Sequence, residues 1–140
     1  MRIVFSGVRI GLREARRITA VAKRLSRALH TRGNIEVVFL DGRAMRILKS
    51  RLLPKEKGPA NVIAAPEPPD FPHPESPVPF LGTLYLNRDL TAGEPEEEAR
   101  LVLHGFLHLA GYDHKKKRDI LRMKKTEETL WRRISSLVWI

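Results

Sequence analysis

From Leu101 to Ala110 the chain is apolar on almost every side of a helix. A segment of that kind has to run through the middle of a domain rather than over its surface. Two imidazoles interrupt it. His104 and His108 stand four residues apart, so a helix rotates one from the other by only about 40° and separates them by about 6 Å along its axis. Gly111 can take the left-handed conformation that ends a helix and turns the chain back. His114 then returns toward the pair. A lone histidine in an apolar helix is most often a hydrogen-bonded core residue. Three at this spacing favour one divalent ion, which satisfies three ring nitrogens at about 2.0–2.1 Å each. His104, His108 and His114 are therefore the expected metal ligands, and His30 and His73, which lack such companions, are expected at the surface.

The chain has no cysteine, so a transition metal has to be held by histidine and carboxylate. Three neutral nitrogen ligands leave a position open on a tetrahedral ion, as catalytic rather than structural zinc does. One divalent ion per chain is expected, Zn2+ first. The same spacing occurs in the metzincin pattern H-E-x-x-H-x-x-G-x-x-H. Here the second position is Gly105, so the carboxylate that serves peptide hydrolysis as general base is missing from its place. A glycine inside a buried helix costs about 1 kcal/mol relative to alanine. Its expected benefit is access: a bare wall beside the metal would let a bulky phosphodiester approach. Tight packing of the helix against a neighbouring element is the alternative.

The rest of the chain predicts one α/β (α+β) domain spanning residues 1–140, a small mixed sheet of about four strands packed with helices around that central, zincin-like helix. Arg2 to Ser6 reads as a strand. Leu12, Ala15, Ile18, Val21, Leu25 and Leu29 recur at helical spacing, and Gly33 stops that helix. Ile35 to Leu40 reads as a buried strand, and Gly42 to Leu53 as a short helix. Nine of the ten prolines fall between Pro54 and Pro79, where they remove donors and fix φ, so 54–79 is expected to be a long loop. Within it Asn61 to Ala65 is a possible short strand, and Pro66 to Pro79 an extended surface excursion. Phe80 to Asn87 reads as a strand, and Pro95 with its flanking carboxylates opens the histidine helix.

Lys and Arg outnumber Asp and Glu by 26 to 16, a net charge of +10, which favours a polyanionic partner. No apolar run approaches the roughly 18 residues of a membrane span, and residues 1–30 lack a signal peptide's apolar segment, so no membrane role and a cytoplasmic location are expected. Beyond the histidines, Lys115, Lys116, Lys117 and Arg118 lead into a basic final helix bearing Arg122, Lys124, Lys125, Arg132 and Arg133. That cluster is placed to guide a phosphate backbone. On the same helix Met123, Leu130 and Trp131 are expected in the core rather than as a base-stacking platform, and Glu127 and Glu128 on a solvated face.

The run His104-Gly-Phe-Leu-His108-Leu-Ala-Gly-Tyr-Asp-His114 resembles the hallmark H-G-x-L-H-L-x-G-Y-D-H of the YbeY-type endoribonucleases. Leu81-Gly82 is similar to that family's L-G-D-I segment, with Thr83 in place of the acidic residue. Pro59-Ala-Asn-Val-Ile63 is similar to its P-T-D/N-V-L. The resemblance implies a single-domain α/β protein with a zinc-type site formed by the three motif histidines. It also implies single-stranded RNA as substrate, a role in ribosomal RNA maturation and ribosome quality control, and association with the ribosome or its small subunit. Counting back seven residues from Asn61, where the family carries an arginine implicated in activity, reaches Pro54. Arg51 and Lys55 are the nearest substitutes, and with Lys57 they join the expected RNA contacts.

The leading expectation is thus a metal-dependent, single-strand-specific endoribonuclease. An RNA- or ribosome-binding protein with a structural metal comes second, and a metallopeptidase, disfavoured by Gly105, third. Histidine ligands bind metal when neutral, so occupancy should fall as pH drops through roughly 6 to 5.

Overall fold

The computed structural model describes residues 1–68, 77–112 and 117–139. Two β-branched runs pair first. β1 (Ile3–Gly7) lies parallel to β2 (Asn34–Leu40), and β2 lies parallel to β4 (Phe80–Asn87), which forms the sheet's interior with it. β3 (Val62–Pro66) runs antiparallel to β4 on its outer side, giving the order β1-β2-β4-β3. The alternation of β2 and β4 sorts their side chains. Ile35, Val37, Phe39, Leu84 and Leu86 enter the main core, while Leu40 and Tyr85 face a smaller cluster around Met45, Ala60 and Ile63.

Helices cover those two faces unequally. α1 (Leu12–Ala28), α4 (Pro95–Leu109) and α5 (Lys117–Ile134) pack over the main core, and α2 (Gly42–Leu52) covers part of the other face. Asp41 caps α2 by accepting from the Ala44 amide at 2.8 Å. A single turn, α3 (Arg88–Thr91), capped by Asn87, joins β4 to the loop before α4. A 3-10 turn over Ser135–Leu137 follows α5.

The sequence expectation of a small mixed sheet with a central helix holds, and most elements lie within a residue or two of their expected places. The excursion expected from Pro66 needs correction at its start. Pro66 is the last residue of β3, paired with Gly82; at an outer edge a missing amide donor breaks no ladder hydrogen bond. Residues 69–76, with His73, lie outside the described residues.

α4 is held at its start by charge. Glu98 is 1% exposed and sits 3.8 Å from Arg17 and 3.7 Å from Arg88, while Glu14 pairs with Arg88. Burial, then the hydrogen bond and charge of Glu14, push the Glu98 carboxyl up to about 9, against the pull of Arg17 and Arg88. Burial acts on Glu14 too, but its hydrogen bonds to Glu98 and Arg88 and the two guanidinium charges bring it below the ordinary carboxylate range. Near neutral pH the pair shares one proton, held on Glu98.

Candidate metal centre

Helix α4 buries every residue from Leu101 to Leu109 except two, His104 and His108. The helix packs against β3, β4, α1 and α5, and the two imidazoles face outward from the buried stretch between Leu101 and Leu109. Their ring centroids lie 4.9 Å apart with planes at 73°. His104 Nε2 and His108 Nε2 are separated by 3.3 Å. Two nitrogens at roughly 2.05 Å from a common tetrahedral ion stand roughly 3.3 Å apart, so this pair has the bite that such an ion needs. The donor set fits as well: neutral imidazole nitrogens suit zinc and its neighbours in the first transition row.

The other nitrogen of His104 is engaged. Its Nδ1 lies 2.6 Å from Glu127 Oε1, a contact between half-exposed side chains, 41% for His104 and 31% for Glu127. A carboxylate accepts only, so Nδ1 carries the proton and Nε2 presents its lone pair toward His108. Sequence reasoning assigned Glu127 to a solvated face. It lies 23 positions from His104 on another helix, and no local spacing pointed to it.

The chain turns where expected. Ala110 ends α4, and Gly111 has φ of +99°. Its amide donates to the His108 carbonyl at 3.1 Å, and that of Tyr112 to the Leu107 carbonyl at 3.0 Å, the paired bonds of a Schellman motif. His114 and the adjoining Lys115 and Lys116 lie outside the described residues. The pair of histidines is therefore described, and the third expected ligand is not.

Gly105 does not serve as a bare wall at the metal. A Cβ built there would meet Leu84 Cδ2 at 2.8 Å and Val62 Cγ2 at 3.0 Å, so the missing side chain points into the sheet. The expectation of substrate access is corrected accordingly. What the glycine permits is close seating of α4 on β3 and β4, the alternative weighed for it. A carboxylate at position 105 would also point into the core, away from the histidines.

The basic residues are dispersed. Arg51 ends α2 on the face of the sheet opposite α4, and Lys55 and Lys57 are exposed in the segment leading to β3. Lys117 and Arg118 open α5 in solvent. Arg122 lies 5.4 Å from the centroid of the Tyr112 ring, just beyond the α4 cap. Met123 and Leu130 are core residues, as expected. Trp131 is partly buried, with the Arg100 guanidinium 3.9 Å from its ring centroid, in a cleft of about 400 Å³ that Leu103, Lys124 and Glu127 also line. His30 is exposed, as expected.

A family model described as endoribonuclease YbeY matches residues 11–135. The endoribonuclease YbeY of Chelativorans sp. is 34% identical over 123 residues, covering 82% of this chain and 73% of that protein. That of Beijerinckia indica is 33% identical over 105 residues, covering 69% and 49%. That of Coxiella burnetii is 38% identical over 80 residues, covering 51% of each chain. Among solved structures, the solution structure of a Thermotoga maritima protein superposes with a TM-score of 0.55 at 19% identity, covering 96% of this chain and 92% of that one. That likeness concerns the fold.

Proposed function

Because the chain belongs to the endoribonuclease YbeY family, we propose that it is a single-strand-specific, metal-dependent endoribonuclease acting in ribosomal RNA maturation and ribosome quality control in the cytoplasm. The observation that carries this reading is the pair of α4 imidazoles whose Nε2 atoms stand 3.3 Å apart on the solvent side of an otherwise buried helix. His104, His108 and His114 would hold the ion, Zn2+ by preference. When bound it supplies Lewis acidity to a phosphodiester.

The residues of the chain do the rest. The buried residues that flank them on α4, among them Leu103, Phe106 and Leu107, hold the helix that carries His104 and His108 in place, so its backbone does not have to be ordered when substrate arrives. Lys117, Arg118 and Arg122 supply positive charge near the end of α4 for a phosphate backbone entering the site, and Lys115 and Lys116, which lie outside the described residues, belong to the same basic run of sequence. Of the residues nearest Pro54, Lys55 and Lys57, in the segment leading to β3, would supply the charge that Pro54 does not provide, whereas Arg51 lies on the face of the sheet opposite α4. The partner is single-stranded ribosomal RNA, met on the ribosome or its small subunit. No helix among the described residues is long and apolar enough to cross a membrane.

The test is cleavage of end-labelled single-stranded RNA by the metal-loaded protein beside an identically purified His108→Ala variant. Cutting by the parent alone supports the nuclease. Equal cutting by both, or by neither, moves the reading to an RNA- or ribosome-binding protein with a structural metal, which Pro54 at the family's arginine position favours. Unfolding on chelation would accompany that second reading. Peptide hydrolysis is set aside, since position 105 faces the sheet.

A further inference from the structure

Glu127 sits on a helix crowded with cations. α5 carries Lys117, Arg118, Arg122, Lys124, Lys125, Arg132 and Arg133, and Lys124 is one turn before Glu127, at the spacing where side chains on a helix meet. The carboxylate nonetheless points across to α4. Among the described residues, its recorded ion pair is with His104 Nδ1 at 2.6 Å. The approach is enforced from a second point. One turn earlier on α4 and one turn later on α5, Arg100 stacks over Trp131 at 3.9 Å. The pairs 104 with 127 and 100 with 131 are successive rungs between two antiparallel helices. Met123 and Leu130, both buried, anchor the α5 side of that ladder.

We propose that Glu127 is a positioning residue for the metal centre: its carboxylate holds the His104 ring in the Nδ1–H tautomer and in the orientation that points Nε2 at the ion. This rests on the reading of His104 and His108 as ligands. Two consequences follow from the chemistry. A neutral imidazole carries one N–H, so fixing it on Nδ1 leaves Nε2 able only to accept or to coordinate. Carboxylate partners of this kind typically change metal affinity about 10–100-fold when removed. Two lone-pair nitrogens 3.3 Å apart repel unless a proton or a cation stands between them. Glu127, by committing His104 to present its lone pair, makes His108 the ring whose proton has to move when a cation enters.

The experiment uses the full chain and Zn2+ alone, with affinity read by competition against a chromophoric chelator and ring tautomers read by 15N NMR of the histidines. The expected result is a His104 ring protonated on Nδ1 in the parent, a Zn2+ affinity about 10–100-fold weaker in Glu127→Ala with unchanged circular dichroism, and partial recovery in Glu127→Gln, which keeps an acceptor oxygen. His104 found protonated on Nε2 in the parent overturns the proposal without any variant. Parental affinity in Glu127→Ala, with affinity lost in His104→Ala, overturns it while leaving the ligand assignment standing. Parental affinity in both His104→Ala and His108→Ala removes the ligand assignment, and the proposal with it.

Discussion

Helix α4 carries two polar clusters built from the same materials and put to opposite uses. At its first turn Glu98 is sealed against Arg17, Arg88 and Glu14. Further along, His104 and His108 meet Glu127 at the edge of solvent. In the first cluster the carboxyl is so thoroughly enclosed that it keeps its proton, and the charge pairing falls to Glu14 and Arg88. In the second, half-exposure leaves two ring nitrogens directed at a space a cation can enter. Enclosure makes a joint; partial exposure makes a reagent.

Paired substitutions test that separation most severely. His108→Ala should lower RNA cleavage by on the order of 100-fold or more, since removing a ligand costs more than removing its supporting partner, while thermal unfolding of the metal-free protein stays near the parent's. Glu98→Ala should do the reverse, costing about 1–3 kcal/mol, because removing the neutral carboxyl takes from Glu14 its hydrogen-bond partner in a buried site. Its folded fraction should still bind Zn2+ as the parent does. If Glu98→Ala abolished metal binding in folded protein, or His108→Ala unfolded the chain, the two clusters would be one.

Gly105→Ala probes the surface that lies behind both. Overpacking against Leu84 and Val62 costs about 1–3 kcal/mol, offset by about 1 kcal/mol of helix propensity. The expected net loss is about 1 kcal/mol in denaturant titration, and a stabilised variant would show that the sheet yields freely.

A further effect is a slope. A carboxyl whose folded value is raised to about 9 from 4.5 binds a proton in the native state that the unfolded chain has lost. Its contribution is complete below about 4.5 and disappears as pH climbs toward 9. Glu14, shifted down, contributes in the other direction, and its share is lost on acidification below its ordinary value. Stability measured from pH 5 to 9 should therefore fall more in the parent than in Glu98→Gln. Parallel curves would contradict a proton held on Glu98.

Local sequence announced part of this and concealed the rest for definite reasons. The histidine spacing and Gly111 were readable because each depends on neighbours within one or two turns of a single helix. So were β2 and β4, whose apolar alternation is local. Glu127 was not, because its meaning depends on α5 folding back along α4, and seven cations on the same helix gave it a ready alternative. Gly105 pointed the wrong way because the motif fixes that a side chain is absent without fixing which wall it would have met. The antiparallel pairing of β3 among parallel neighbours was equally hidden, since five residues of β3 say nothing of direction. α3, a single turn, is too short to leave a period.

The outer strands of the sheet are β1 and β3. Each of the two edges is five residues long, against seven and eight for the interior strands, and β3 finishes on Pro66, which offers no N–H. Short edges and a proline deny a neighbouring chain the run of donors and acceptors needed to extend the sheet. A protein this rich in β-branched strands thereby gains resistance to aggregation when it is crowded, without devoting any of its helices to that task.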